Sequence, residues 1–201
     1  MKKKDLKTNR GYTIIETMIA TSLFIVVVLA GTGALLNANL LHQKSRDMRS
    51  IIDSLSFVME DMSKSLRTGE KYHCITSGGF SGLTTALSCP SGGGGISFKS
   101  AAPSSQWVYY VGTNINGLDP VTRIFKSIDD GATFVQLTPD EVIIDPLSSG
   151  FIVVGAEPPP GDIKQPFVTI KLKGRITFKE IDTPFSLQTA VSQRLIDVDT
   201  N

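Results

Sequence analysis

Glu16 is the residue whose chemistry most needs an explanation. It stands at the head of Thr17–Leu41, a run of 25 residues without a charged side chain. Placing a carboxylate in hydrocarbon costs roughly 2.5–3.5 kcal/mol at the centre of a spanning helix and less toward its end. Such groups are functional candidates by default and need a partner. No Lys, Arg or His follows Glu16 within two helical turns. The partner must be Arg10, a lipid headgroup or a group on another chain.

Other reactive side chains are sparse. Two cysteines, Cys74 and Cys89, are too few for a disulfide scaffold or a four-thiolate zinc site. Outside a membrane they are expected to pair, closing a loop of about 15 residues for roughly 3 kcal/mol. Two free thiols are the alternative. His73 beside Cys74 invites a metal reading, but the other histidine, His42, lies far away on a different element, so neither metal nor cofactor is assigned. Gly92–Gly95 lacks the Lys-Ser/Thr of a phosphate loop and reads as a flexible linker. Gly79-Phe80-Ser81-Gly82 lacks the spacing of a nucleophile elbow. Asp129-Asp130-Gly131 reads as a turn rather than a pair of working carboxylates. No catalytic residue emerges, and the chain is expected not to be an enzyme.

The 201 residues carry 20 Lys+Arg against 19 Asp+Glu, a formal charge of +1. That balance excludes a nucleic-acid binder running on bulk positive charge, and no nucleic-acid partner is assigned. The charges are unevenly placed. Lys2, Lys3, Lys4, Lys7 and Arg10 face only Asp5 in the first ten residues, leaving 15 basic and 18 acidic residues beyond. As a helix, Thr17–Leu41 is about 37 Å long, enough for a hydrocarbon core of about 30 Å. The basic flank predicts a cytoplasmic N-terminus and an outward remainder. A secretory signal has a shorter apolar region of about 7–15 residues, and Thr32-Gly33-Ala34 is a poor cleavage site.

The run Arg10-Gly11-Tyr12-Thr13-Ile14-Ile15-Glu16 resembles the processing signal of type IV pilins and pseudopilins: a basic leader ending in Gly, a bulky residue, Thr or Ser, two aliphatics and Glu. The resemblance implies cleavage by a prepilin peptidase between Gly11 and Tyr12, with methylation of the new Tyr12 amine. It makes Glu16 the fifth residue of the mature chain. A new α-amine is largely protonated at neutral pH, so Glu16 of one subunit could meet the Tyr12 ammonium of its neighbour and fix the register between them. Two departures stand out. Tyr12 replaces the more usual Phe or Met, and Gly31 and Gly33 occupy the region where many major pilins carry Pro. These glycines allow either local melting or close helix packing.

Beyond Leu41 the pattern becomes amphipathic. Met48, Ile51, Ile52, Leu55, Val58, Met59, Met62 and Leu66 recur at helical spacing, and Gly69 is a stop signal. One helix is expected over 12–68. Residues 69–106 read as a Gly- and Ser-rich loop region, and strands follow at 107–111, 123–128, 133–137, 142–144, 151–154, 168–178 and 185–192. Asn114–Pro120 reads as a turn and Glu157–Gly161 as a stiff surface connection.

The expected fold class is therefore α+β. A long N-terminal helix, transmembrane in its first half and amphipathic in its second, packs against an antiparallel β-sheet head, the lollipop of pilin-like proteins. The expected divisions are a cleaved leader (1–11), a transmembrane assembly helix (12–41), its amphipathic continuation (42–68) and a β-rich extracytoplasmic head (69–201). Leu137-Thr138-Pro139 before Val142, and the ending Phe185–Arg194, resemble minor pilins and J-type pseudopilins, which implies a place at or near a filament tip.

On this reading the protein is a single-pass inner-membrane subunit that moves into a type IV pilus or a type II secretion pseudopilus. Its partners would be the prepilin peptidase, other subunits through their N-terminal helices, the inner-membrane assembly platform, and membrane lipid before assembly. The competing readings are a major shaft subunit and a membrane-tethered enzyme or binding domain.

Overall fold

A computed structural model describes residues 11–101, 105–113, 120–158, 160, 163–178 and 181–194, and for Ile181 the backbone only. The basic leader before Gly11, the Asn114–Pro120 turn except Pro120, and residues 159, 161 and 162 in and beside the Glu157–Gly161 connection lie outside the described residues. The chain divides into two compact units, Met1–Asp47 and Met48–Asn201.

One helix, α1 (Ile14–Thr68, 55 residues), runs through both units. Its start is chemically marked. Thr13 stands at the N-cap, and its Oγ1 accepts the Glu16 N–H at 3.4 Å. At the other end the Gly69 N–H bonds to the carbonyls of Ser65 and Leu66. A Cβ on Gly69 would lie 2.3 Å from Cδ2 of Phe98, so this glycine is set by close approach as well as by helix termination. The helix continues without a break through Gly31 and Gly33, where added Cβ atoms would meet open space.

In the second unit α1 buries Ile51, Leu55, Val58, Met59, Met62 and Leu66 of the apolar stripe expected from the sequence, while Met48 is half-buried and Ile52 is exposed. They join one hydrophobic core with Phe98, Tyr109, Ile124, Phe151, Ile170 and Leu172 from the sheets. A polar clasp reinforces the packing. Asp61 Oδ2 accepts hydrogen bonds from Tyr109 Oη at 3.0 Å and Lys126 Nζ at 2.9 Å. The same ammonium lies 4.5 Å from the centre of the Trp107 ring. Burial first, and the Asp61 charge with it, push the Tyr109 phenol upward, so it remains a donor.

The strands are β1 (Glu70–Ile75), β2 (Cys89–Gly93), β3 (Gly95–Lys99), β4 (Gln106–Gly112), β5 (Arg123–Ser127), β6 (Val135–Gln136), β7 (Val142–Ile144), β8 (Gly150–Val154), β9 (Phe167–Phe178) and β10 (Ile181–Ser192). They form two antiparallel sheets. The first has the order β1-β3-β4-β5-β6; the second has β10-β9-β8-β2, with β7 also paired to β9. Because β10 occupies the full length of one edge of β9, β7 and β8 must share the other edge end to end. Gly174 permits this: a Cβ there would lie 2.2 Å from the Ile143 carbonyl oxygen. The link between them is tied at its base. Asp145 Oδ1 accepts the Leu147 N–H at 3.1 Å, Ser149 Oγ bonds to the backbone of Lys173, and Leu147 is left 97% exposed.

The glycine run and the supposed loop region differ from expectation. Residues 69–106 contain β1, β2 and β3, and Gly92–Gly95 is the corner where the chain passes from one sheet to the other. A Cβ at Gly93 would lie 2.6 Å from both Cys74 Sγ and the Ile75 carbonyl oxygen; at Gly95 it would lie 3.1 Å from the Tyr109 oxygen. These glycines are required by crowding, not by a need for flexibility. Cys74 and Cys89 are disulfide-bonded, with Cα atoms 5.8 Å apart, and the bond ties β1 of the first sheet to β2 of the second. Beside it, Ser88 donates its N–H to Glu157 Oε1 at 2.7 Å and its hydroxyl to Oε2. Burial works to raise the Glu157 pKa, but these two bonds prevail and the carboxyl sits below its ordinary value.

Reduction of the Cys74–Cys89 bond should lower head stability by about 3 kcal/mol. Gly93→Ala should cost about 1–3 kcal/mol through overpacking at the corner. Thermal unfolding of the full chain in detergent checks both; an unchanged midpoint for either would contradict the corner's structural role.

Candidate functional site

The candidate site is the first unit's stretch of α1 with the short segment before it. Isoleucine, leucine and valine favour burial, yet here they cover the whole circumference of the helix. Ile14, Met18, Leu23, Phe24, Val27, Leu29, Leu35 and Leu41 are each more than 60% exposed. A helix that is apolar all round belongs in a membrane or among other helices. This is the one helix among the described residues long and apolar enough to cross a membrane.

The Ser and Thr hydroxyls of this stretch follow the same rule. Thr17 Oγ1 donates to the Ile14 carbonyl at 2.8 Å, Thr21 to Thr17 at 2.9 Å and Ser22 to Ile19 at 2.9 Å; Thr32 donates to Val28. Each hydroxyl finds an acceptor inside its own helix, so none needs water.

The residues expected to matter are adjacent here. Gly11 and Tyr12 precede the helix in exposed positions, Tyr12 at 80%, and an added Cβ at Gly11 meets nothing within 4 Å. Glu16 is exposed at the third helical position. Thr13-Ile14-Ile15-Glu16 also has the spacing of a capping box, in which a Thr at the N-cap and a Glu three residues on complete the first turn. A carboxylate there is favoured by the partial positive charge of the helix N-terminus as well. The sequence contains this pattern, but a helix expected from Tyr12 puts Thr13 inside the first turn and hides it; the helix begins at Ile14.

The remaining candidates have local partners. Cys74 Sγ is committed to the disulfide, and His73 Nδ1 donates to the Thr85 carbonyl at 2.7 Å. Among the described residues no three His, Cys, Asp or Glu side chains converge as metal ligands. Asp129 and Asp130 organise the turn after β5. Asp129 accepts from Thr133 Oγ1 at 2.6 Å, Ser127 Oγ at 2.7 Å and Thr133 N–H at 3.0 Å, while Asp130 Oδ1 accepts the Gln106 N–H at 2.8 Å. Asp130 and Gly131 have positive φ, 58° and 80°, as the turn reading requires. Arg123, unremarked in the sequence, is buried with its Nη1 on the carbonyls of Pro139, Asp140 and Val142.

The chain matches no family model, no curated protein and no solved structure.

The Asp129 bonds hold its pKa at about 2, with the Thr133 hydroxyl contributing most. A depressed carboxylate stabilises the fold above its unfolded-state value, about 3.9, and that contribution is lost as pH falls toward the folded value. Asp129→Asn should therefore flatten the acid limb of stability between about pH 4 and pH 2. Thermal melts across that range provide the check, and an acid limb of wild-type steepness would refute the assignment.

Proposed function

We infer that this chain is a subunit of the type IV pilin or pseudopilin kind, cut between Gly11 and Tyr12 by a prepilin peptidase and methylated on Tyr12. It would enter a filament through α1, with a minor position at or near the tip. The observation that carries this reading is the fully exposed apolar stretch of α1 with a single carboxylate, Glu16, in its first turn. Lipid can cover such a surface before assembly, and neighbouring helices can cover it afterwards. Glu16 of one copy then meets the Tyr12 ammonium of the next. A charge left buried and unpaired is costly, so the pair fixes the register of subunits while apolar contact supplies most of the cohesion. The head would bring surface for neighbours, not catalytic groups.

The capping box favours a second reading, a simple membrane tether in which Glu16 does no more than begin a helix. The two readings part on the Glu16→Gln variant. Glutamine also suits the last position of a capping box but carries no charge. If the charge sets register, Glu16→Gln and Glu16→Leu should both be cleaved normally yet fall at least about ten-fold in sheared filaments, since about 1.4 kcal/mol already corresponds to ten-fold. Wild-type incorporation of Glu16→Gln would remove the register role of the charge, and absence of the unaltered protein from filaments would leave only the tether.

Processing is tested separately. N-terminal mass spectrometry should find a methylated chain beginning at Tyr12, and Gly11→Leu should accumulate uncut in the membrane. An intact leader on the wild-type protein would refute the proposal. Scarcity in sheared filaments distinguishes a tip subunit from a shaft subunit, which would dominate them.

A further inference from the structure

Strand β10 leaves one edge of the second sheet unpaired among the described residues. Its twelve residues pair with β9 in unbroken register from Ile181↔Phe178 to Ser192↔Phe167. The other outer edges are blunted: β6 has two residues, β2 is irregular between Cys89 and Gly93, and β1 exchanges hydrogen bonds with Leu87, which accepts from the Cys74 N–H and donates to the Tyr72 carbonyl. Natural edge strands usually deter pairing with charge, bulges or proline. In β10, Thr183–Ser192 contains no charged residue, and its one proline, Pro184, stands near the beginning.

The alternation along this edge is self-complementary. Phe185, Leu187, Thr189 and Val191 face the core side, the first three half-buried, while Ser186, Gln188, Ala190 and Ser192 are exposed. In an antiparallel pair, opposed residues lie on the same face. A second β10 can therefore pair only in a register that opposes like faces. Centring the two-fold axis on Gln188 does so: Phe185 opposes Val191, Leu187 opposes Thr189, Ser186 opposes Ala190, and Pro184 falls at the end opposite Ser192. The two Gln188 amides meet on the axis, where each can donate to and accept from the other. No like charges are brought together, and the half-buried Phe185 and Leu187 gain cover.

We propose that β10 is a homodimerisation edge through which two copies join their second sheets antiparallel about a two-fold axis at Gln188. The contact is isologous and closes on itself at two copies. It does not depend on the filament reading, because it uses only head residues.

The test uses the full chain in membranes. Under mild oxidation, Gln188→Cys should give a crosslinked homodimer at least about ten-fold more abundantly than Ser192→Cys, whose partner position is Pro184. In detergent, Gln188→Lys and Gln188→Glu should each weaken self-association about ten-fold or more by placing like charges opposite each other. Mixing the two variants should restore it, and recovery in the mixture excludes misfolding as the cause of the loss. Equal crosslinking at 188 and 192, crosslinking only to a different protein, undiminished association of the charged variants, or failure of the mixture to recover would each overturn the proposal.

Discussion

Hydrocarbon offers no hydrogen bonds, and water offers no welcome to a continuous apolar surface. The first unit's part of α1 satisfies both restrictions at once. Its backbone is helical throughout, its Ser and Thr hydroxyls turn back onto carbonyls of the same helix, and its aliphatic side chains point outward on every side. Such a segment is stable only where something apolar surrounds it. The exposed apolar side chains of this unit run from Ile14 to Leu41 among the described residues. Lipid or other helices can cover them.

The same helix changes character after Leu41 without interruption. Apolar residues become confined to one stripe, and that stripe is covered by the sheets of the second unit. The polar positions are then free to make specific contacts. Asp61 is the clearest case, reached by both Tyr109 and Lys126, so that helix and first sheet are joined by charge and hydrogen bonding as well as by core packing. Membrane-type and globular-type packing are thus written into consecutive stretches of one element.

Periodicity made much of this legible from sequence. The stripe from Ile51 to Leu66 and the alternation of Val168, Ile170 and Leu172 or of Phe185, Leu187 and Val191 transferred to one inward face, because a single face dominates each of these elements, while the apolar run became a helix exposed on every side. The Gly- and Ser-rich stretch did not. β1, β2 and β3 are short, partly irregular and rich in small residues, so they carry little alternating signal. Their glycines reflect backbone crowding around Cys74 and Ile75, a tertiary fact that no local pattern contains. At the candidate site the residue types of Gly11, Tyr12 and Glu16 were readable. The capping geometry at Thr13 depends on where the helix begins, and boundaries are the least certain part of any pattern. Arg123 was invisible for a similar reason, because its three carbonyl partners come from the turn before β7 and from its first residue, 16 to 19 positions away.

The end-to-end placement of β7 and β8 along β9 creates a convenient position for a reporter. The intervening Asp145–Ser149 bend is anchored at both feet to Lys173, while its tip projects Leu147 into solvent. A dye, affinity handle or electron-dense marker attached there would ride on a firmly held base without entering the interior. The second unit could then be followed while α1 stays untouched.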